Sequence, residues 1–181
     1  MPTERNAPLR IERFDPARHD RAGFSCGVPR LDNFLQLTAK KQQAADMTRV
    51  YVVVEDGDTR ILGYHTIGMG MMEVSLLKKR PHGATDHGEL PVLFLGQVAV
   101  DQRAQGQGLG GILMHHVFEK ARLVADEAGC FALVLDVMTD GGEEAFERRR
   151  AWYASFGFEP FPSRPTRMFL TLKDVRAILK G

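Results

Sequence analysis

The chain has 181 residues, with 24 lysines and arginines against 23 aspartates and glutamates and 44% hydrophobic residues. That length suits one well-buried domain, the net charge of +1 exerts no general pull on nucleic acid, and no apolar run approaches the roughly 18–20 residues of a membrane span. Cys26 and Cys130 are its only cysteines and lie far apart, which argues against a disulfide framework or a cysteine zinc site and fits a reducing cytoplasm.

In chain order, Met1 to Arg10 holds Glu4 and Arg5 and no apolar stretch, so no secretory leader is expected there. Leu9 to Phe14 alternates apolar and polar residues, which predicts a half-buried strand. Leu31 to Ala45 carries Leu31, Phe34, Leu35, Thr38 and Ala39 at helical spacing, with Pro29 near the first turn. Val50 to Val54, the turn Glu55-Asp56-Gly57-Asp58 and Ile61 to Ile67 form a hairpin signal, and the second strand continues towards Val74. Lys78 to Pro91 mixes Pro, Gly, His and Asp and reads as a loop. Val92 to Val100 is a strand, and Leu109 to Ala128 is an amphipathic helix with Leu113, Val117, Ala121, Val124 and Ala128 on one stripe. Phe131 to Met138 is a buried strand, Glu143 to Phe156 a helix, and Arg167 to Leu172 a closing strand. The order β, α, β-hairpin, β, α, β, α, β predicts a single mixed α/β domain.

The most informative stretch runs from Val98-Ala99-Val100 through Asp101 to the glycine-dense Gln105-Gly106-Gln107-Gly108-Leu109-Gly110-Gly111. A strand passes through a glycine turn into a helix, whose first amides lack internal partners and whose dipole favours an anion. A phosphate or pyrophosphate is the expected occupant. Gly110-Gly111-Ile112 lacks the Lys-Ser/Thr of a nucleotide triphosphate loop. Gly106, Gly108 and Gly111 do fit the G-x-G-x-x-G dinucleotide pattern, with Asp136 as a candidate ribose partner. Against it, Asp101 to Gln105 separates the glycines from the strand, and no βαβ repeat begins the chain.

These residues resemble the GNAT acetyltransferase superfamily, whose cofactor motif is Gln/Arg-x-x-Gly-x-Gly/Ala. Gln105 to Gly110 matches it; Arg103 to Gly108 matches too, and the Gln105 register is preferred for its Gly-Leu-Gly-x-x-Leu run into the helix. The resemblance implies a mostly antiparallel twisted sheet flanked by helices and split around acetyl-CoA. It implies that the loop amides hold the CoA pyrophosphate and that the backbone at Val98, Ala99 and Val100 pairs with the pantetheine arm. Ala151-Trp152-Tyr153-Ala154-Ser155-Phe156-Gly157-Phe158 is similar to the family's aromatic-Tyr-x-x-x-Gly-Phe segment. By that likeness an uncharged amine attacks the acetyl carbonyl, a backbone N–H near Val98 polarises it, and Tyr153 protonates the departing thiolate.

A narrower likeness lies upstream. Phe24-Ser25-Cys26-Gly27-Val28-Pro29-Arg30-Leu31-Asp32-Asn33-Phe34-Leu35 resembles the opening of the GNAT toxins of bacterial toxin–antitoxin pairs. Physically it is a turn entering an amphipathic helix, with Asp32 placed to favour the helix dipole. The likeness implies acetylation of the α-amine of aminoacyl-tRNA, a ribbon-helix-helix antitoxin partner and a cytoplasmic location, with a homodimer also open. Lys78, Lys79 and Arg80, together with Arg148, Arg149 and Arg150, are then the candidate phosphate contacts. A small-molecule or protein amine is the alternative acceptor, and a non-catalytic acyl-CoA-binding module is the third reading. His65, Glu73, Glu89 and Asp136 stay open as general base, and the histidines at 82, 87, 115 and 116 form no recognisable metal set.

Overall fold

β-branched and aromatic runs make the strands of this protein, and glycines punctuate the turns between them. The computed structural model describes residues 7–181, so most of the Met1 to Arg10 stretch lies outside the described residues. Strands are β1 (Leu9–Arg13), β2 (Arg49–Glu55), β3 (Gly63–Glu73), β4 (Glu89–Val100), β5 (Ala132–Asp136), β6 (Glu159–Phe161) and β7 (Arg164–Thr171). Helices are α1 (Pro29–Asn33), α2 (Ala39–Ala44), α3 (Leu109–Ala128), α4 (Gly142–Ala154) and α5 (Leu172–Lys180). The strands form one mixed seven-stranded sheet in the order β1-β2-β3-β4-β5-β7-β6. This is the expected fold class.

The described chain divides into two compact units. Residues up to 68 join residues 96–117 in the first, and residues 69–95 join residues 118–181 in the second.

In the first unit β1 pairs antiparallel with β2, from Leu9 opposite Glu55 to Arg13 opposite Tyr51. β2 pairs antiparallel with β3, from Arg49 opposite Ile67 to Val53 opposite Gly63. The Asp56-Gly57 turn joins the hairpin, with Gly57 in the left-handed region at φ +82°. Val53, Leu62, Ala104, Leu109 and Leu113 form one buried cluster under this corner of the sheet. Gly63 permits the close packing: a Cβ there would lie 3.0 Å from the Ala99 carbonyl oxygen and 3.2 Å from Leu113. The expected helix from Leu31 to Ala45 is present but interrupted. Phe34–Thr38 is a π-helical turn between α1 and α2, in which the Ala39 amide reaches back to the Phe34 carbonyl. Apolar periodicity over so short a stretch does not resolve one inserted residue.

In the second unit β4 and β5 are parallel, from Val92 opposite Ala132 to Leu95 opposite Leu135. β7 is antiparallel to β5, and β6 is antiparallel to β7 with an irregularity at Pro160 and Phe161. Met72, Val92, Ala132, Val134 and Phe161 form its core, with Phe94, Phe131 and Phe169 packed on it.

Several boundaries differ from those the sequence predicts. β4 begins at Glu89, three residues before Val92, and the Phe131 amide donates to the Pro91 carbonyl at 2.8 Å. β6 has no signal in the sequence, because three residues centred on Pro160, with Pro162 and Pro165 nearby, carry loop chemistry. The closing strand starts at Arg164 and stops at Thr171, and Leu172 opens a helix instead of ending the strand. That helix carried a readable signal: the Thr171 side chain caps the Asp174 amide, a Thr-x-x-Asp pattern. On α3 the buried stripe is Leu113, Met114, Val117, Phe118 and Ala121, while Val124 is half-buried and Ala128 exposed.

Tyr64 fastens α1 to β3. It is fully buried, donates to the Leu31 carbonyl at 2.8 Å and meets Phe24 edge-on with centroids 5.4 Å apart. Tyr64→Phe keeps the packing and removes the hydrogen bond, so unfolding in urea should show a loss of about 1 kcal/mol with an unchanged m-value.

Candidate active site

β4 delivers Val98, Ala99 and Val100 to the end of the sheet, and the chain then turns through a single 3₁₀ turn, Gln102–Ala104, into the glycine loop. Gly106 and Gly108 sit at φ +75° and +80°, a conformation that side chains with a Cβ rarely adopt. The amides of Gly111 and Ile112 return to the Gly108 carbonyl at 3.1 and 3.3 Å. Leu109 and Gly110 thus open α3 with amides that have no intrahelical acceptor. A Cβ on Gly106, Gly108 or Gly111 would meet no protein atom within 4 Å, so the ground above these glycines is open. Open space, left-handed turns and a helix N-terminus together suit the pyrophosphate of CoA.

The loop is fastened from beneath by a residue that the sequence reading used only as a strand end. Asp101 is 2% exposed, and its carboxylate accepts from the Ser25 amide, the Arg103 amide and the Arg103 guanidinium at 2.8–3.2 Å. Burial works to raise its pKa. The hydrogen bonds from the Arg103 side chain and from the two amides outweigh that and hold the carboxyl below the ordinary carboxylate range. Arg103 also donates to the Gly23 carbonyl, the Gln102 amide donates to the Ser25 carbonyl, and Gln105 donates to the carbonyls of Cys26 and Val100.

The Phe-Ser-Cys-Gly segment is therefore a strap along the glycine loop. Gly27, at φ +88°, passes so near Gln102 that a Cβ would lie 2.7 Å from its side-chain nitrogen. Asp32 does more than favour the helix dipole: it accepts from the Cys26 amide at 2.7 Å and from the Ser25 hydroxyl at 3.0 Å. Cys26 is no nucleophile here, since burial first and the Asp32 hydrogen bond second push its thiol up to about 12.

Tyr153 lies in the last turn of α4. The helix stops because Gly157 adopts φ +98°, and the Phe158 amide folds back on the Tyr153 carbonyl. Phe158 is 2% exposed and packs edge-on against the Tyr153 ring, which Trp152 flanks on the same helix. The Trp-Tyr-x-x-x-Gly-Phe segment is thus one aromatic turn whose geometry holds the tyrosine. Among the described residues no group accepts a hydrogen bond from the Tyr153 hydroxyl. Burial pushes it up to about 12, opposed by the nearby charge of Arg149, so the phenol is protonated at every physiological pH.

The two basic runs differ in state. Lys78 and Lys79 are exposed and engaged in no ion pair among the described residues, and Arg80 pairs with Asp86 at 2.6 Å. On α4, Arg148 pairs with Glu144 and Arg150 with Glu147, while Arg149 donates to the Met138 and Asp140 carbonyls. Of the general-base candidates, Asp136 is held by two 2.7 Å bonds from Arg167, which lower its pKa and make it a poor proton acceptor. Glu73 accepts from Ser75, Glu89 is exposed, and the buried His65 shares a 2.8 Å hydrogen bond with His116 beneath Tyr51. Among the described residues no cluster of three or more His, Cys, Asp or Glu side chains is placed to hold a metal ion, and no helix is long and apolar enough to cross a membrane.

Comparison with known proteins gives the family. The sequence profile of the family described as "Acetyltransferase (GNAT) domain" matches residues 47–160. A protein of Sinorhizobium fredii described as "Probable toxin TacT" is 39% identical over 170 residues, 93% of this chain and 94% of its own. A "tRNA-acetylating toxin" of Mycobacterium tuberculosis is 30% identical over 174 residues, 96% of each chain. The crystal structure of a tyrosine-to-phenylalanine mutant of KacT superposes with a TM-score of 0.82 at 26% identity, over 94% of this chain and 98% of that one.

The Asp101 network sets a pH dependence. Because its pKa is lower folded than unfolded, its contribution is complete at neutral pH and is lost as the pH falls below roughly 4 towards the folded value. Asp101→Asn turns acceptor oxygens into a donor facing donors, and should cost about 3 kcal/mol at pH 7 by denaturant titration. The difference from wild type should shrink as the pH is lowered through 4.

Proposed function

The chain belongs to the GNAT acetyltransferase family and is an acetyl-CoA-dependent N-acetyltransferase, and from that premise we propose that its acceptor is the α-amine of aminoacyl-tRNA. Blocking that amine stops the amino acid from entering a peptide bond, so the activity is that of a translation-arresting toxin. Near full-length similarity to a tRNA-acetylating toxin supports this acceptor. The observation that carries the chemistry is the Tyr153 hydroxyl, protonated and not committed to any group of the protein.

The roles follow from the residues. The amides of Gly106 to Gly111, with the side chains of Gln105 and Gln107 bracing the loop from within, receive the pyrophosphate of acetyl-CoA. The backbone of Val98, Ala99 and Val100 pairs with the pantetheine amides, and an N–H there polarises the acetyl carbonyl. The neutral amine attacks that carbonyl, a C–N bond forms, and the C–S bond breaks. Tyr153 gives its proton to the leaving thiolate, while the amine proton passes to water. Lys78, Lys79 and Arg80 contact tRNA phosphates. Arg148 and Arg150 add to this, since their exposed helix pairs are weak enough to exchange for a phosphate. A ribbon-helix-helix antitoxin, a homodimer and a cytoplasmic location belong to the same reading.

Purified protein and its Tyr153→Phe variant, given labelled acetyl-CoA with charged tRNAs, polyamines and peptides in parallel, test it. Label should appear on the aminoacyl group, and the variant should lose roughly 10²–10⁴-fold in kcat with a smaller change in KM. With the phenol at about 12, kcat should hold or rise with pH up to roughly pH 10, since the proton donor stays protonated while the amine loses its proton. Label confined to polyamines or peptides would reject the tRNA acceptor.

A further inference from the structure

The face of the second unit that carries Lys78 and Lys79 is hollow. A cavity of about 1040 Å³ opens beside them, at the upper end of the range that takes up a drug-sized ligand. Its wall includes Phe131 just before β5, Phe169 on β7 and Pro160 on β6. Both phenylalanines are half-buried, with one side packed on the core and Phe169 backed by Phe161 at a centroid distance of 4.7 Å. Lys78, Lys79 and Lys173 line it as well, all exposed and none in an ion pair among the described residues. Arg80 is there too, neutralised by Asp86, and Glu159 is the single carboxylate of the lining.

Unspent ammonium groups around an aromatic wall match one ligand chemistry closely. A contact to duplex phosphates alone has no use for the phenylalanines, and an apolar ligand has no use for the lysines. Single-stranded nucleic acid uses both: its phosphates take the cations and its exposed bases stack on aromatic rings. We infer that this cavity binds the unpaired nucleotides at the acceptor end of aminoacyl-tRNA, with Lys78, Lys79 and Lys173 on phosphates and Phe131 and Phe169 against bases. The inference rests on the acceptor reading given above, and adds to it a place on the molecule and two aromatic residues.

The test is fluorescence anisotropy of the full chain with a short labelled single-stranded RNA ending in CCA. A duplex of equal length and an acidic peptide containing phenylalanine serve as comparison probes. The Lys78→Ala/Lys79→Ala/Lys173→Ala variant should bind the single strand at least tenfold more weakly, with a salt dependence shallower by about 2 in log–log slope. Phe131→Leu and Phe169→Leu should also bind at least tenfold more weakly but keep the wild-type slope; melting temperatures taken alongside show that each is folded. No binding of the single strand, or equal binding by all folded variants, would overturn the inference. So would tighter binding of the peptide with the same dependence on these residues, which would make the cavity a peptide site. Acetylation kinetics separate the two readings. Pocket-dependent RNA binding without acetylation of any charged tRNA would sink the acceptor and leave the cavity. Acetylation of charged tRNA with unaltered KM in every variant would sink the cavity and leave the acceptor.

Discussion

One buried carboxylate holds the glycine loop together. Asp101 ends β4 at the point where the chain must leave the sheet, and it gathers Ser25, Arg103 and its own turn around two oxygen atoms. An ionised group so deeply buried is costly to desolvate, and it persists only because its hydrogen bonds oppose that cost. The consequence is geometric. With Asp101 satisfied, the 3₁₀ turn is set, Gln105 reaches the carbonyls of Val100 and Cys26, and the glycines that follow are presented as a rigid rim. Rigidity matters because amides that already point at an anion need no reorganisation when it arrives.

The same logic shapes the turn that carries Tyr153. Tyr153 belongs to a helix with few buried side chains, so packing of the helix body does little to fix its hydroxyl. The fixing comes from the helix end: Gly157 takes the left-handed conformation, and Phe158 drops into the core against the tyrosine ring. Both segments thus pair a glycine with positive φ with one buried anchor, Asp101 in the first case and Phe158 in the second. In each, the anchor is a different residue from those to which the proposed chemistry is assigned.

That division explains what could be read from the residues alone. Strands β2 and β4, helix α3 and the glycine loop stand out because β-branched runs, helical periodicity and clustered glycines are local signals. The aromatic segment around Tyr153 is local too. The Asp101 strap was not legible, because nothing in Phe24 to Gly27 or in Gln102 marks them as partners across more than seventy residues. Nor was the hollow beside Lys78 and Lys79, since Phe131, Phe169 and Lys173 are scattered along the chain and meet only through the pairing of β5 with β7. The π turn at Phe34–Thr38 and the three-residue β6 fell below the length at which a period can be recognised. Helix α5 is a different case, because its Thr-x-x-Asp cap was present in the residues and was simply overrun by the strand before it.

The strap also orders events in time. The bond from Gln105 to the Cys26 carbonyl joins positions 79 residues apart, and that from Arg103 to Gly23 joins positions 80 apart. Contacts of such high sequence separation are closed late, after the entropy of the intervening chain has been overcome. During synthesis the amino-terminal strap leaves the ribosome well before its partners exist, and waits for them. The supports of the glycine loop are thus among the last contacts of the first unit to close.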